Sequence, residues 1–152
     1  TEGNAETYLP NVAMALNNIA VLYHNKGELD KAKEGYAEVL RIYKQLAAVN
    51  PESYMSDVAM TLNNIAVLYL DKRDLDKAVE NCAEALKLCR YLADINPKSY
   101  QTYLAKTLNN FGLILGKKKD SEKEEESLHE ALKIYKQLAA ENPETYLPYV
   151  AG

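Results

Sequence analysis

A short motif that recurs at a fixed interval constrains this chain more than any other feature. The tetrads NAET, NPES, NPKS and NPET, each followed by tyrosine, begin 46 residues apart at Asn4, Asn50, Asn96 and Asn142. The segments 4–49 and 50–95 are identical at 25 of 46 positions. A period in this range is typical of helical repeat proteins, whose units bury their apolar faces only by stacking on each other.

Within a unit, the apolar residues recur at helical spacing. In the first unit they fall at i, i+3, i+4 and i+7, at Leu16, Ile19, Ala20 and Tyr23, and we expect this arc to face the core. Gly27 permits a tight turn, and a second helical run ends before Asn50. The pattern predicts a first helix (helix A) in each unit near 10–26, 56–72 and 102–117. It predicts a second helix (helix B) near 29–49, 75–95 and 121–141.

These elements predict one domain over 1–152. Its repeats span about 4–49, 50–95 and 96–141, and a partial capping segment covers 142–152. That segment either begins a fourth A helix of a longer array or caps the third repeat. Pro10 is expected in the first turn of its helix. We assign the NPxxY residues to a connector, with Tyr8, Tyr54, Tyr100 and Tyr146 packing on the preceding B helix.

The stretch from Leu16 to Leu40 resembles a tetratricopeptide repeat. The matching residues are Leu16, Ile19, Ala20, Tyr23, Gly27, Ala32, Tyr36 and Leu40. The long period and the LNN-I-A start are most similar to the kinesin light chain type. The resemblance implies an all-α, right-handed α-solenoid of three helix–turn–helix units plus a C-terminal stub. It also implies a scaffold, not an enzyme, that binds a peptide or protein in a concave groove lined by the A helices.

By the same resemblance, fourteen residues are predicted to line that groove. They are Met14, Asn17, Asn18, Val21, His24, Met60, Asn63, Asn64, Val67, Leu70, Lys106, Asn109, Asn110 and Leu113. An asparagine amide offers donors and an acceptor, so these side chains can pair with the backbone of an extended peptide. We assign Asn18, Asn64 and Asn110 to ligand contact. We assign Asn17, Asn63 and Asn109 to ties between repeats.

Some tetratricopeptide proteins clamp a C-terminal carboxylate with several cations. In this chain only Lys106 and Asn64 match that pattern, and Asn17 stands where a lysine is expected. A clamp with one cation would be weak, so we do not expect this ligand.

Charge and motifs exclude other functions. The net charge is −4, and nucleic-acid binding needs a basic face. No apolar run is long enough to span a membrane, and we expect a cytoplasmic protein without cofactor, metal or catalytic set.

Cys82 and Cys89 lie too far apart along a helix for a disulfide, and Cys82 is expected to be a small core residue. His24 and His129 are expected at the surface, with no carboxylate spaced to pair with either.

The third unit departs from the repeat at its turn. Lys119 replaces the turn glycine, and Glu124 replaces a small residue that would contact Gly112. Either Glu124 escapes to water, or helices A and B of this unit run on as one helix and swap onto a second molecule. The alternative to a peptide-binding scaffold is therefore an architectural segment, assembled by head-to-tail stacking or by such a swap.

Overall fold

In the computed structural model, the backbone is described for residues 2–144 and the side chains for residues 7–144. The described residues form six α-helices, three of type A and three of type B. The A helices are α1 (Glu2–Asn25), α3 (Pro51–Asp71) and α5 (Pro97–Lys117). The B helices are α2 (Leu29–Val49), α4 (Leu75–Ile95) and α6 (Ser121–Glu141). The fold is therefore the predicted all-α helical repeat, and the bounds of the B helices are confirmed.

The chain divides into two compact units, Thr1–Asn81 (unit 1) and Cys82–Gly152 (unit 2). In unit 1, α2 packs against both α1 and α3. In unit 2, α5 packs against α6. Most of the capping segment, residues 145–152, lies outside the described residues, and so does Tyr146.

The A helices begin earlier than predicted, because the NPxxY residues are helical. The side chain of Asn50 accepts a hydrogen bond from the Ser53 N–H over 3.3 Å, and Pro51 occupies the first turn of α3. Asn96 caps α5 in the same way, through the Ser99 N–H at 3.2 Å. An Asn cap followed by proline is a helix start, since the cap satisfies a free N–H and proline has none to satisfy. The prediction that the NPxxY residues form a connector between helices is therefore wrong.

Pro10 also differs from its prediction. It lies inside α1 and not in the first turn of that helix.

All three A–B turns share one backbone conformation. The residue that follows each A helix by two positions has a positive φ: 77° at Gly27, 63° at Arg73 and 64° at Lys119. In each turn the next N–H bonds back to a carbonyl five residues earlier, as from Glu28 to Tyr23 over 2.9 Å. These bonds satisfy carbonyls at the helix end, as in a Schellman motif. The motif forms in the second and third turns although neither has a glycine there.

Helices α1 and α2 approach each other closely at Ala20 and Gly35. A Cβ on Gly35 would lie 2.9 Å from the Cβ of Ala20, so a side chain there would push the helices apart. Ala32 of α2 is buried in the same cluster as Ala20, with Tyr36 and Ile65.

Ile19, which was expected in the core arc, is half exposed. The prediction is wrong because no described helix packs on that face of α1.

The third hairpin closes normally, which contradicts the helix-swapped alternative. α5 ends at Lys117, Asp120 caps α6 through the Lys123 N–H at 3.3 Å, and the two helices pack together. Glu124 contacts Gly112 through its backbone oxygen, 3.4 Å from where a Cβ on Gly112 would lie, whereas its half-buried side chain lies against Gly116. Gly116 stands where His24 and Leu70 stand in the other repeats, so its missing side chain provides the space for Glu124.

The two cysteines of unit 2 are fully buried and free, as expected. The Cys89 Sγ lies 3.6 Å from the Thr107 Oγ1, and burial raises the pKa of the Cys82 thiol to about 12. They pack as small core residues.

Candidate functional site

A cleft opens in unit 1 on the side where helices α1 and α3 face each other. Its volume is about 440 Å³, within the usual range for ligand sites. The lining residues are Pro10, Met14, Asn17, Asn18, Tyr43, Tyr54, Asp57, Met60, Thr61 and Asn64. Five of the fourteen predicted groove residues are therefore brought together: Met14, Asn17, Asn18, Met60 and Asn64.

Helical spacing explains why these side chains share one cleft. Met14, Asn17 and Asn18 lie within one turn of α1, and Met60 and Asn64 lie one turn apart on α3. Met14 and Met60 are the counterparts of each other in consecutive repeats, and each is at least half exposed. The cleft thus combines flexible apolar side chains with amides from both A helices.

Two tyrosines and one carboxylate also line the cleft. The ring of Tyr54, from the first turn of α3, stacks on Tyr43 of α2, with centroids 6.4 Å apart and an angle of 29° between the planes. Tyr54 thus packs on the preceding B helix as expected, although from within a helix. Asp57, one turn further along α3, is half buried. Burial raises the pKa of Asp57 and the pKa of Tyr43, and the charge of Asp57 raises the pKa of Tyr43 further.

Sequence reasoning did not find Pro10, Tyr43, Tyr54, Asp57 or Thr61. The predicted A helices began at 10 and 56, so Tyr54 was assigned to a connector. Tyr43 belongs to a B helix, outside the set from which groove residues were chosen. The available signal for Tyr54 was the Asn-Pro cap, which places the start of α3 at Pro51. Pro10, Asp57 and Thr61 lay inside the predicted A helices but were not assigned to their groove faces.

The remaining predicted residues of unit 1 lie outside this lining. Val21 packs against the core cluster of unit 1, and Val67 and Leu70 are half buried. Asn63 is held by a contact with another group, and its tie between repeats stays a prediction.

His24 is mostly buried and not at the surface, which corrects the prediction. Its side chain is 14% exposed, its Nε2 lies 2.6 Å from the Asp71 Oδ2, and its Nδ1 lies 3.4 Å from the Tyr36 hydroxyl. The expectation that no carboxylate pairs with a histidine is therefore wrong. His129, in contrast, is exposed, and it lies 3.5 Å from Glu125 on its own helix.

On α5 in unit 2, four predicted groove residues have different environments. Lys106, Asn109 and Leu113 are exposed. Asn110 is half buried and held by a contact with another group of the protein.

The cleft holds no arrangement that suggests a bound metal. Among the side chains of residues 7–144, no group of three or more His, Cys, Asp or Glu could coordinate an ion. No helix in the described part of the chain is both long and apolar enough to cross a membrane.

Comparisons with known proteins agree with the helical repeat fold. Two family models, both described as tetratricopeptide repeat, match residues 57–137 and residues 12–50, and the second is of the kinesin-light-chain-like type. No curated protein matches the chain.

Two solved structures show the same fold. The crystal structure of BtubC (BKLC) from P. vanneervenii is 24% identical with a TM-score of 0.73, over 84% of this chain and 48% of that one. The chain thus spans about half the length of that protein. The N-terminal domain of stress-induced protein-1 (STI-1) from C. elegans is 16% identical with a TM-score of 0.53, over 94% of both chains.

Proposed function

Because the chain belongs to the tetratricopeptide repeat family, whose repeats generally bind protein partners, we propose that it holds an extended peptide segment in the cleft of unit 1. The observation that carries this proposal is the meeting of amides from both A helices in one open cleft. Asn17 and Asn18 of α1 and Asn64 of α3 line it together.

The chemistry of the cleft suits a peptide backbone. Amide side chains offer both donors and an acceptor, so they can match the alternating N–H and C=O groups of an extended chain. Among the described residues, no hydrogen bond ties the side chains of Asn18 and Asn64 to another protein group. Met14 and Met60 supply apolar contacts that adapt to different side chains.

The prediction for the asparagine pairs changes in one respect. Asn17 lines the cleft beside Asn18, so we include both in the proposed contact surface. On α5, ligand contact by Lys106, Asn110 and Leu113 stays a prediction, and so does the tie between repeats through Asn109.

The test is a pair of substitutions in the cleft, Asn18→Ala and Asn64→Ala, measured against a 12-residue peptide selected from a random phage-displayed library. Each lost hydrogen bond removes about 0.5–1.5 kcal/mol, so the double variant is expected to bind roughly 5- to 150-fold more weakly. Its melting temperature should match that of the unaltered protein.

Asn25→Ala is the matched control, since Asn25 is an exposed asparagine at the end of α1, outside the cleft. Equal affinity in the double variant and in this control would reject the proposed site. A double variant that no longer folds would show that the two amides are structural.

A second candidate, head-to-tail self-assembly, is favoured by an exposed stripe on α1. The stripe comprises Val12 (44% exposed), Ile19 (48%) and Leu22 (54%). The counterparts on α3, which packs against α2, are buried: Val58 (6%), Ile65 (8%) and Leu68 (0%). The stripe on α1 therefore has the composition of a helix-packing surface but no described helix against it.

Sedimentation at increasing protein concentration tests this candidate. Reversible association is expected, and Ile19→Ser with Leu22→Ser should abolish it, whereas Met14→Ser in the cleft should not. A monomer at every concentration would contradict self-assembly.

A further inference from the structure

The cleft of unit 1 has one charged group in its lining, the carboxylate of Asp57. This carboxylate is half buried, and the stacked pair Tyr43 and Tyr54 lines the same space. A carboxylate in a partly enclosed, partly aromatic site interacts more strongly with an opposite charge than one on an open surface.

No cation of the described chain neutralises Asp57. Burial alone accounts for its raised pKa, without a neighbouring Lys, Arg or His that lowers it. The other carboxylates that bridge helices in unit 1 are paired: Asp30 lies 2.6 Å from Lys72, and Asp71 lies 2.6 Å from His24. Asp57 therefore leaves a negative charge in the cleft that no described side chain balances.

The repeat framework does not require this carboxylate. Asn11 and Tyr103 occupy the same position in the first and third repeats. Since neither neighbour carries a charge, Asp57 is a feature of this cleft and not of the fold. A partly buried, unpaired carboxylate is costly to the folded protein, which is expected where a partner supplies the opposite charge.

We propose that the cleft accepts a lysine or arginine side chain of the bound segment, with its cationic end at Asp57 and its aliphatic stem against Met14 and Met60. Tyr43 and Tyr54 line the same space as Asp57, and aromatic rings favour a nearby positive charge. The same carboxylate repels an acidic residue or a C-terminal carboxylate. This inference rests on the proposed peptide-binding function and specifies its partner as a segment with a basic residue.

Selection of phage-displayed random 12-residue peptides tests the preference. The selection is run in parallel on the unaltered protein, on Asp57→Asn and on Glu52→Gln. Glu52 is an exposed residue of the same helix, outside the cleft, so the two variants have the same net charge. Circular dichroism and thermal melting establish that both variants are folded.

Peptides that bind the unaltered protein and Glu52→Gln are expected to carry Lys or Arg at one shared position. Replacing that residue by Gln should weaken binding about 10-fold, equivalent to about 1.4 kcal/mol. Asp57→Asn should lose the preference for a basic residue.

Selected peptides without a shared basic residue, or a preference that persists in Asp57→Asn, would overturn the inference. In those cases the proposed function still stands if the double variant Asn18→Ala with Asn64→Ala binds the same peptides more weakly. If no peptide is selected, or if that double variant binds them unchanged, the proposed function fails as well.

Discussion

The Nε2 atom of His24 lies 2.6 Å from the Oδ2 atom of Asp71, so a side-chain hydrogen bond joins the last turns of the two A helices of unit 1. The carboxylate can only accept, so Nε2 donates, and Nδ1 of a neutral ring is left to accept from the Tyr36 hydroxyl at 3.4 Å. His24 thus links α1 to both α2 and α3.

We expect His24→Ala to lower the free energy of unfolding by about 1–3 kcal/mol, because the hydroxyl of Tyr36 would lose its partner in a buried site. Urea unfolding measures this change. His129→Ala is the control, since His129 is exposed and its ion pair joins residues of one helix. Equal stability of the two variants would show that the link through His24 contributes nothing.

The left-handed turn residues predict opposite effects for glycine substitutions. Arg73→Gly and Lys119→Gly should each raise the free energy of unfolding by up to about 1 kcal/mol, since a side chain at positive φ is strained. Gly27→Ala should lower it by about 1 kcal/mol for the same reason.

Lys118→Gly is the control for the third turn, because Lys118 has an ordinary right-handed conformation and gains nothing from glycine. Thermal unfolding of the variants gives the comparison. If Lys118→Gly stabilised the protein as much as Lys119→Gly, backbone strain could not be the cause.

The raised pKa of Asp57 predicts a pH-dependent effect of Asp57→Asn. Between its ordinary value of 3.8 and its raised value, the carboxyl binds more protons in the folded state than in the unfolded state. The contribution of this carboxyl group to the free energy of unfolding therefore falls as pH rises through that window. At pH 7 the ionised group opposes folding.

Asp57→Asn should consequently be the more stable protein at pH 7, and its advantage should shrink as pH falls below the raised pKa. Urea unfolding from pH 3 to pH 7 measures the difference. Glu52→Gln is the control, because it removes one negative charge from the same helix outside the cleft. A constant difference across this range would contradict the raised pKa.

Burial predicts that both thiols are unreactive in the folded protein. The pKa of Cys82 is about 12 and that of Cys89 is raised, in both cases mainly because burial disfavours the thiolate, which is the reactive form. At pH 8 an aromatic disulfide reagent should modify neither cysteine, and in concentrated urea it should modify both. Rapid modification of the folded protein would show that unit 2 opens around these residues.

Local sequence rules were sufficient to predict the bounds of the B helices and part of the candidate site. The B helices end where Asn50, Asn96 and Asn142 stop them, and the 46-residue period aligns Met14 with Met60 and Asn18 with Asn64. The A helices were predicted too short because asparagine and proline were interpreted as a connector. That error removed Tyr54 from the predicted groove, whereas Asp57 lay within the predicted helix 56–72 but was not assigned to its groove face.

The sequence by itself determined the repeat, the helical class and the amide and methionine positions, because these depend on spacing along one helix. Only the tertiary structure decided that Asp57 and Tyr43 share a cleft with those residues, and that His24 bonds to Asp71. Such contacts join side chains on different helices, and they depend on the closeness of packing that Ala20 and Gly35 permit. The left-handed turns at Arg73 and Lys119 were decided in the same way, since helix packing stabilises a conformation that those residues disfavour.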